Sequence, residues 1–368
     1  MRVVCAPDSF KHSLSAAQAA AAMARGVRAA LPDAEVVEVP MSDGGEGFTD
    51  AIADALGARI VEVAVPDALG RPTIGRLALA GDLAAFEVAT AVGLEAIADD
   101  DRAIMAADTR GVGRLILAAS DAGARRFVIG LGGSATNDGG AGMLAELGVR
   151  FLDESGEPVA TTPSGLERVR AVDASGLDPR LAAAHVRVAC DVDNPLLGDR
   201  GASAVFGPQK GATPALVARL DSILGSLAAV AGKRPEADAP GAGAAGGLGW
   251  AMIAYLGAEL TPGIDLVCDT VGLGATIAGA DLVLSGEGSI DAQTLSGKTP
   301  AGVAALARAH GVPVVLFGGR VAPDADALLD QGVAAIVGIT PEGTPLAQAL
   351  AGAAENLQRA VAAYLSAG

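Results

Sequence analysis

Short β-branched runs alternate with Ala-rich stretches of helical period along much of the chain, and that rhythm restricts its fold more than any other feature. RVVCAP, from Arg2, reads as a buried strand. SLSAAQAAAAMARGVRAAL follows as a helix, with Ser13 or Ser15 as its N-cap. AEVVEVPM and GFTDAIADALGA repeat the pair, the second helix ending at Gly57. Strand, helix, strand, helix is the signature of a parallel α/β sheet. From Arg59 the texture changes: RIVEVAVPDALGRPTIGRLALAGDLAAFEVA reads as strands joined by turns at DALGRP and AGD, the pattern of hairpins. GVGRLILAASDAGA and RRFVIGLGG restore the alternation, and HVRVACDV, ADLVLSGEG, VPVVLFGG and AAIVGIT supply later strands. The expected fold class is α/β with two domains. A doubly wound, Rossmann-like parallel-sheet domain is built discontinuously from residues 1–58, 105–148 and 265–368. A mixed α/β domain, residues 59–104 with 149–264, is inserted into it.

Composition narrows the chemistry. Aromatics make up 3% of residues against 51% hydrophobic, so the core is Ala, Val, Leu and Ile. The formal charge of −17 argues against a nucleic-acid surface, which needs clustered Lys and Arg. An anionic ligand must instead be held by a few local cations and backbone amides. Lysine is scarce: Lys11, Lys210, Lys233 and Lys298 are the only four. Three histidines, His12, His185 and His310, disfavour a Ser-His-Asp triad or a His-rich metal site. Cys5, Cys190 and Cys268 have neither disulfide-framework nor metal-site spacing, which points to a reducing cytoplasm. Asp8 interrupts the N-terminal apolar run too early for a signal peptide. The uncharged run from Ala239 to Ala258 carries glycines and a proline, and reads as a buried loop and helix rather than a membrane span.

Four stretches carry candidate chemistry. GLGGSATNDGGAGM, residues 130–143, follows a strand. Gly130, Gly132 and Ala135 fit G-x-G-x-x-A, with Asp153 and Glu154 downstream, so a dinucleotide site of a dehydrogenase is one reading. The other is a phosphate cradle. There Gly132 and Gly133 offer backbone N–H groups, Ser134, Thr136 and Asn137 add side-chain donors, and a helix N-terminus adds its dipole. GEGSIDAQTLSGKTPAGVA holds Glu287 and Lys298 but has Ala292 where a Walker loop needs Gly. Gly297 and Lys298 precede Thr299, a possible N-cap, and Pro300, favourable at a helix start. In ACDVDNPLLG, Asp191 stands at the C-terminal end of a strand, where ligands of open α/β folds collect. It could accept a hydroxyl proton or hold Mg²⁺, as could Asp193, or DVDNP could be only a turn. APDSFK and SDGGEG end the first two strands, so both are expected at one sheet edge. They offer Asp8, Ser9, Lys11, Asp43, Gly44, Gly45 and Glu46 to a small carboxylate.

These stretches, with VFGPQKGA and GAGAAGGLG, occur in an order that resembles the bacterial glycerate kinase family of the tartronate-semialdehyde-pathway type, over essentially the whole chain. The resemblance implies a two-domain α/β fold with the active site in the cleft. It implies ATP-dependent phosphorylation of D-glycerate with Mg²⁺, a phosphotransferase acting on an alcohol group, with the 2-position favoured. The family's proposed catalytic aspartate falls on Asp191, and Lys11 is expected beside it. His12 and Phe48 stand where smaller residues and Thr are common in relatives. No nucleic-acid or membrane partner is expected, and the chain would be a monomer or homodimer. The rival functions are the dehydrogenase and a non-catalytic metabolite-binding protein.

Overall fold

The computed structural model describes residues 1–367 apart from 292–293 and 295–297, so Ala292 and Gly297 lie outside the described residues. Thirteen strands occur among those described. In chain order they are β1 (Arg2–Cys5), β2 (Glu35–Glu38), β3 (Arg59–Pro66), β4 (Pro72–Ala80), β5 (Leu83–Glu87), β6 (Arg126–Gly130) and β7 (Arg150–Leu152). They continue with β8 (Ala171–Asp173), β9 (His185–Ala189), β10 (Glu259–Thr261), β11 (Leu282–Ile290), β12 (Val314–Val321) and β13 (Val333–Gly338). The chain divides into two compact units.

The first unit comprises residues 1–43, 50–58 and 262–368. Its five-stranded sheet has the order β13-β12-β11-β1-β2, and every pairing in it is parallel. From β1 the chain steps to β2 on one side, then returns through β11 to β13 on the other. The winding direction therefore reverses between β1 and β11, and the carboxyl ends of these strands form the crevice in which doubly wound sheets bind ligands. Val3, Cys5, Leu284, Val315 and Phe317 on the strands pack with Met23, Leu357 and Val361. Helix Ala16–Ala30 is capped by Ser15, not Ser13. Ser15 and Gln18 exchange side-chain and backbone bonds in a capping box, whereas the Ser13 hydroxyl donates to the Phe10 carbonyl at 2.8 Å.

The second unit comprises residues 44–49 and 59–261. Its six-stranded sheet has the order β10-β9-β6-β5-β4-β3. The expected hairpins are present as antiparallel β3–β4 and β4–β5, while β5, β6, β9 and β10 pair in parallel. β7 and β8 form a separate antiparallel pair. Phe86, Phe127, Ile129, Leu115 and Trp250 lie in its core.

The main departure from expectation concerns residues 105–148. Their strand–helix rhythm suggested that they belong with the chain ends. Instead β6 lies between β5 and β9, and Leu115 packs over Gly75 of β4, so the segment is the centre of the second sheet. Both units contain parallel strands, so rhythm alone could not say which sheet a given strand joins. Among the described residues no helix is long and apolar enough to cross a membrane.

Candidate active site

In the first unit, the carboxyl ends of β1 and β11 bring acidic groups together. The Asp8 amide donates to the Gly286 carbonyl at 2.9 Å, which ties the segment after β1 to β11. The Asp8 carboxylate accepts from the Ser9 amide at 2.6 Å and from the Thr299 hydroxyl at 2.5 Å. Thr299 thus begins helix Thr299–Ala309 rather than capping it. Lys298 holds the cap position in an extended conformation with no side-chain cap bond. Burial, opposed by the Thr299 bond and reinforced by the charges of Asp43 and Glu287, pushes the Asp8 carboxyl up to about 7. Glu287, on β11, is also raised by burial. The hydroxyl of Thr294, donating at 2.8 Å, and the ammonium of Lys298 pull it back. Lys298 Nζ lies 3.7 Å from Glu287 and 4.0 Å from Asp291. So Asp8, Ser9, Asp43, Glu287 and Lys298 share one edge of one sheet. Lys11, exposed, follows in the same segment, its amide against Gly288.

In the second unit, β5, β6 and β9 present their carboxyl ends at a common edge. The Thr49 amide donates to the Glu87 carboxylate, and the Glu87 amide to the Thr49 hydroxyl, each at 3.1 Å. A Cβ on Gly130 would come within 2.7 Å of the Gly44 carbonyl. Gly44, Gly45 and Glu46 therefore stand against this second sheet, while Asp43 belongs to the first unit. The expectation that APDSFK and SDGGEG share a single sheet edge is corrected accordingly: the second motif is divided at Asp43. Asp191 is exposed just beyond β9. Asp193 is gripped by Arg200, whose Nη2 lies 2.8 and 3.0 Å from its two oxygens.

The Gly-rich loop is built differently from the expected cradle. Gly132 and Gly133 are exposed, but Ser134 is 5% exposed and Thr136 and Asn137 are 0% exposed. Their side chains face inward: the Asn137 amide donates to the Ser203 hydroxyl at 3.0 Å. Lys210, 3% exposed, reaches in to donate to Ser134 Oγ at 3.0 Å and to the Thr136 carbonyl at 2.8 Å. Burial lowers the Lys210 ammonium to about 7, against the pull of Asp138. The helix begins only at Ala141, which removes the dinucleotide reading, since that fingerprint needs a helix to open at once. Its N-terminal amides are already taken. Asp138 accepts from Gly140 N at 3.1 Å, Gly142 N at 2.9 Å, Thr109 N at 2.9 Å and the Thr109 hydroxyl at 2.7 Å. A buried carboxylate thus uses the amides at this helix start. Two further glycines lie tight against protein. A Cβ on Gly246 would lie 2.0 Å from the Thr136 carbonyl, and one on Gly140 would lie 2.4 Å from Ala251 Cβ.

Two sheet edges with carboxylates at parallel-strand termini, arranged by long motifs in fixed order, invite comparison with known proteins. The model of the glycerate kinase family matches residues 3–367. The chain belongs to the glycerate kinase family. It is 46% identical to the glycerate kinase of Bacillus subtilis strain 168, over 98% of this chain and 95% of that one. It is 42% identical to the glycerate 2-kinase of Escherichia coli K12, over 100% and 99%. A crystal structure from Salmonella typhimurium LT2 that bears the name glycerate kinase 2 superposes with a TM-score of 0.91 at 43% identity, covering 100% and 98% of the two chains.

Reading the residues in order missed the support beneath the Gly-rich loop. Lys210, Asp138, Thr109 and Ser203 are buried and joined to it. The available signal was the scarcity of lysine: one of the four lies in the Gly- and Pro-rich GPQKGA.

Proposed function

We propose that this chain transfers the terminal phosphoryl group of ATP to the 2-hydroxyl of D-glycerate, giving 2-phosphoglycerate and ADP. The end-to-end similarity to a glycerate 2-kinase carries this reading. Phosphoryl transfer asks a protein for positioning and charge neutralisation more than for covalent chemistry, and the two sheet edges supply residues of that kind. Asp191, exposed beyond β9, takes the acceptor hydroxyl proton; a carboxylate of ordinary acidity suffices because the transition state is loose. The exposed Gly132 and Gly133 and the ammonium groups of Lys11 and Lys298 offer donors to anions, while Ser134 and the Asn137 amide nitrogen are engaged by Lys210 and Ser203.

Among the described residues no three His, Cys, Asp or Glu side chains converge as a metal cage. Mg²⁺ commonly keeps its waters and binds through one or two carboxylates plus substrate phosphates, so the donor set fits an ion that arrives with the nucleotide. Asp43 and Glu287 would hold it, and it would neutralise phosphate charge. Asp193, occupied by Arg200, is the poorer ligand. Three free cysteines agree with a reducing cytoplasm.

The test is turnover of D-glycerate with MgATP, with the product assigned by NMR. No ADP release above background from folded protein overturns the reading. Asp191→Asn is expected to lower turnover by about 10²–10⁴ with substrate KM little changed. Rescue by high Mg²⁺ would make Asp191 a metal ligand instead.

A further inference from the structure

We infer that a pocket over the carboxyl ends of β11, β12 and β13 is the seat of the adenine nucleotide, with its base against an apolar wall and its phosphates on Lys11 and Arg320. This rests on ATP being the phosphoryl donor; where the nucleotide sits is a separate matter.

The pocket is a cavity of about 230 Å³ within the first unit. Its floor is bare backbone, and the sequence explains why. Gly288 on β11 and Gly319 on β12 line it, and a Cβ on Gly319 would lie 2.6 Å from the Gly288 carbonyl. Neither glycine puts a side chain into the space above these strand ends. One wall is apolar, formed by Ile339 just after β13 and by Leu346 and Leu350 of the helix Leu346–Ala351. Leu346 is 74% exposed. Thr340, whose hydroxyl donates to the Gly319 carbonyl at 2.6 Å, fixes the turn at the back.

Two cations complete the lining. Both Lys11 and Arg320 are exposed, and among the described residues neither has a hydrogen-bond or ion-pair partner for its charged group. In a chain of charge −17, carboxylates pair with arginines such as Arg2, Arg110 and Arg219. Two unpartnered cations facing one cavity are an anion-binding pair waiting for its ligand.

The occupant follows from shape and polarity. Glycerate has three carbons and a polar group on each, so it gains nothing from Ile339, Leu346 and Leu350. A purine does, and its phosphates can run out toward the two cations. The location agrees: the pocket is lined by Phe10 and Lys11, which follow β1, and by Gly288 of β11, the two strands between which the winding reverses. It also accounts for the nucleotide having no place among the inward-facing side chains of the Gly-rich loop.

Two substitutions test this without disturbing the core. Arg320→Gln removes the charge while keeping a polar side chain, and Ala349→Phe, at a half-buried position on the pocket wall, fills the space. ADP affinity is measured directly by calorimetry, and KM for ATP and for D-glycerate by turnover, on variants whose thermal unfolding matches the parent. Both substitutions are expected to weaken ADP binding and raise KM for ATP about ten-fold or more, with KM for D-glycerate changed less than about two-fold. Unchanged ADP affinity in both folded variants overturns the inference while leaving the kinase reading intact. So does a rise confined to KM for D-glycerate, which would assign the pocket to the acid. Wild-type protein that neither binds ADP nor turns over ATP would sink the kinase reading itself, and this inference with it.

Discussion

Asp8 and Asp138 each lie in a motif-rich segment just beyond a parallel strand, and they have opposite fates. Asp138 is 0% exposed and accepts four hydrogen bonds, three from backbone amides and one from the Thr109 hydroxyl. Its carboxyl is raised only to about 6, by burial and the charge of Asp108, because those donors hold the anion. Asp8 is less enclosed and accepts only two, from Ser9 and Thr299, while facing the like charges of Asp43 and Glu287. It is pushed further, to about 7. Full satisfaction marks a carboxylate that builds the fold. Partial satisfaction among like charges marks one that is expensive to keep and is completed by a ligand.

The largest expected effect breaks the satisfied member. Asp138→Asn replaces one acceptor oxygen with an amide donor, which must then face a backbone N–H that has nowhere else to go. It also strips the counter-charge from Lys210. We expect a loss of about 3–5 kcal/mol in denaturant unfolding, with poor soluble yield. A variant that stayed within about 1 kcal/mol of the parent but lost turnover would place Asp138 in the chemistry and erase the distinction.

A second pair of substitutions makes the same distinction within the Gly-rich loop. Gly140 has φ +73° and its Cβ would press on Ala251 at 2.4 Å, so Gly140→Ala should cost about 2–4 kcal/mol. Gly132 is exposed, and its Cβ would find nothing nearer than 3.5 Å. Gly132→Ala should change thermal stability by under about 1 kcal/mol, and any loss should appear in turnover or KM. Equal destabilisation by both would mean that the whole loop is scaffold.

These contrasts also show what could be read in advance. Elements whose signals are local were legible: a helix cap at Ser13 or Ser15, of which Ser15 takes the place, the β3–β4–β5 hairpins and the parallel strands of both units. The membership of β6 was not, because its neighbours β5 and β9 are chosen by pairing across the sheet. The Gly-rich loop is ambiguous for a chemical reason. Glycine serves equally to admit a phosphate and to admit another backbone, and the long-range contact of Gly246 with Thr136 is of the second kind. The same holds for Asn137 and Thr136: both are buried, yet Asn137 Oδ1 and Thr136 Oγ1 have no hydrogen-bond partner among the described residues, so burial alone does not assign them to the scaffold. The acidic edge around Asp8 was legible residue by residue, but the mutual repulsion that singles it out depends on Glu287, far away in the chain.

The smallest expected effect is a gain, and it tests Asp8 through its sign. An acid raised in the folded state binds its proton more tightly there than in the unfolded chain. Its contribution to stability is therefore fully present below the ordinary carboxyl value, 3.8, and is lost as pH rises through the folded value of about 7. Asp8→Asn imitates the protonated acid at every pH and escapes that loss. In chelated buffer the variant should gain on the parent between about pH 5.5 and about pH 8, by about 1–2 kcal/mol. The Ser9 amide donates to one Asp8 oxygen and the Thr299 hydroxyl to the other. In Asp8→Asn the oxygen can keep the Ser9 amide while the Thr299 hydroxyl rotates to accept from the new amide, so the opposing cost is small. Turnover should nevertheless fall about ten-fold or more, because the charge that is costly to the empty site is what an incoming cation–phosphate pair needs. Stability that rises with pH in the parent relative to the variant would mean that the Asp8 anion is already well compensated. The contrast with Asp138 would then be one of depth alone, not of function.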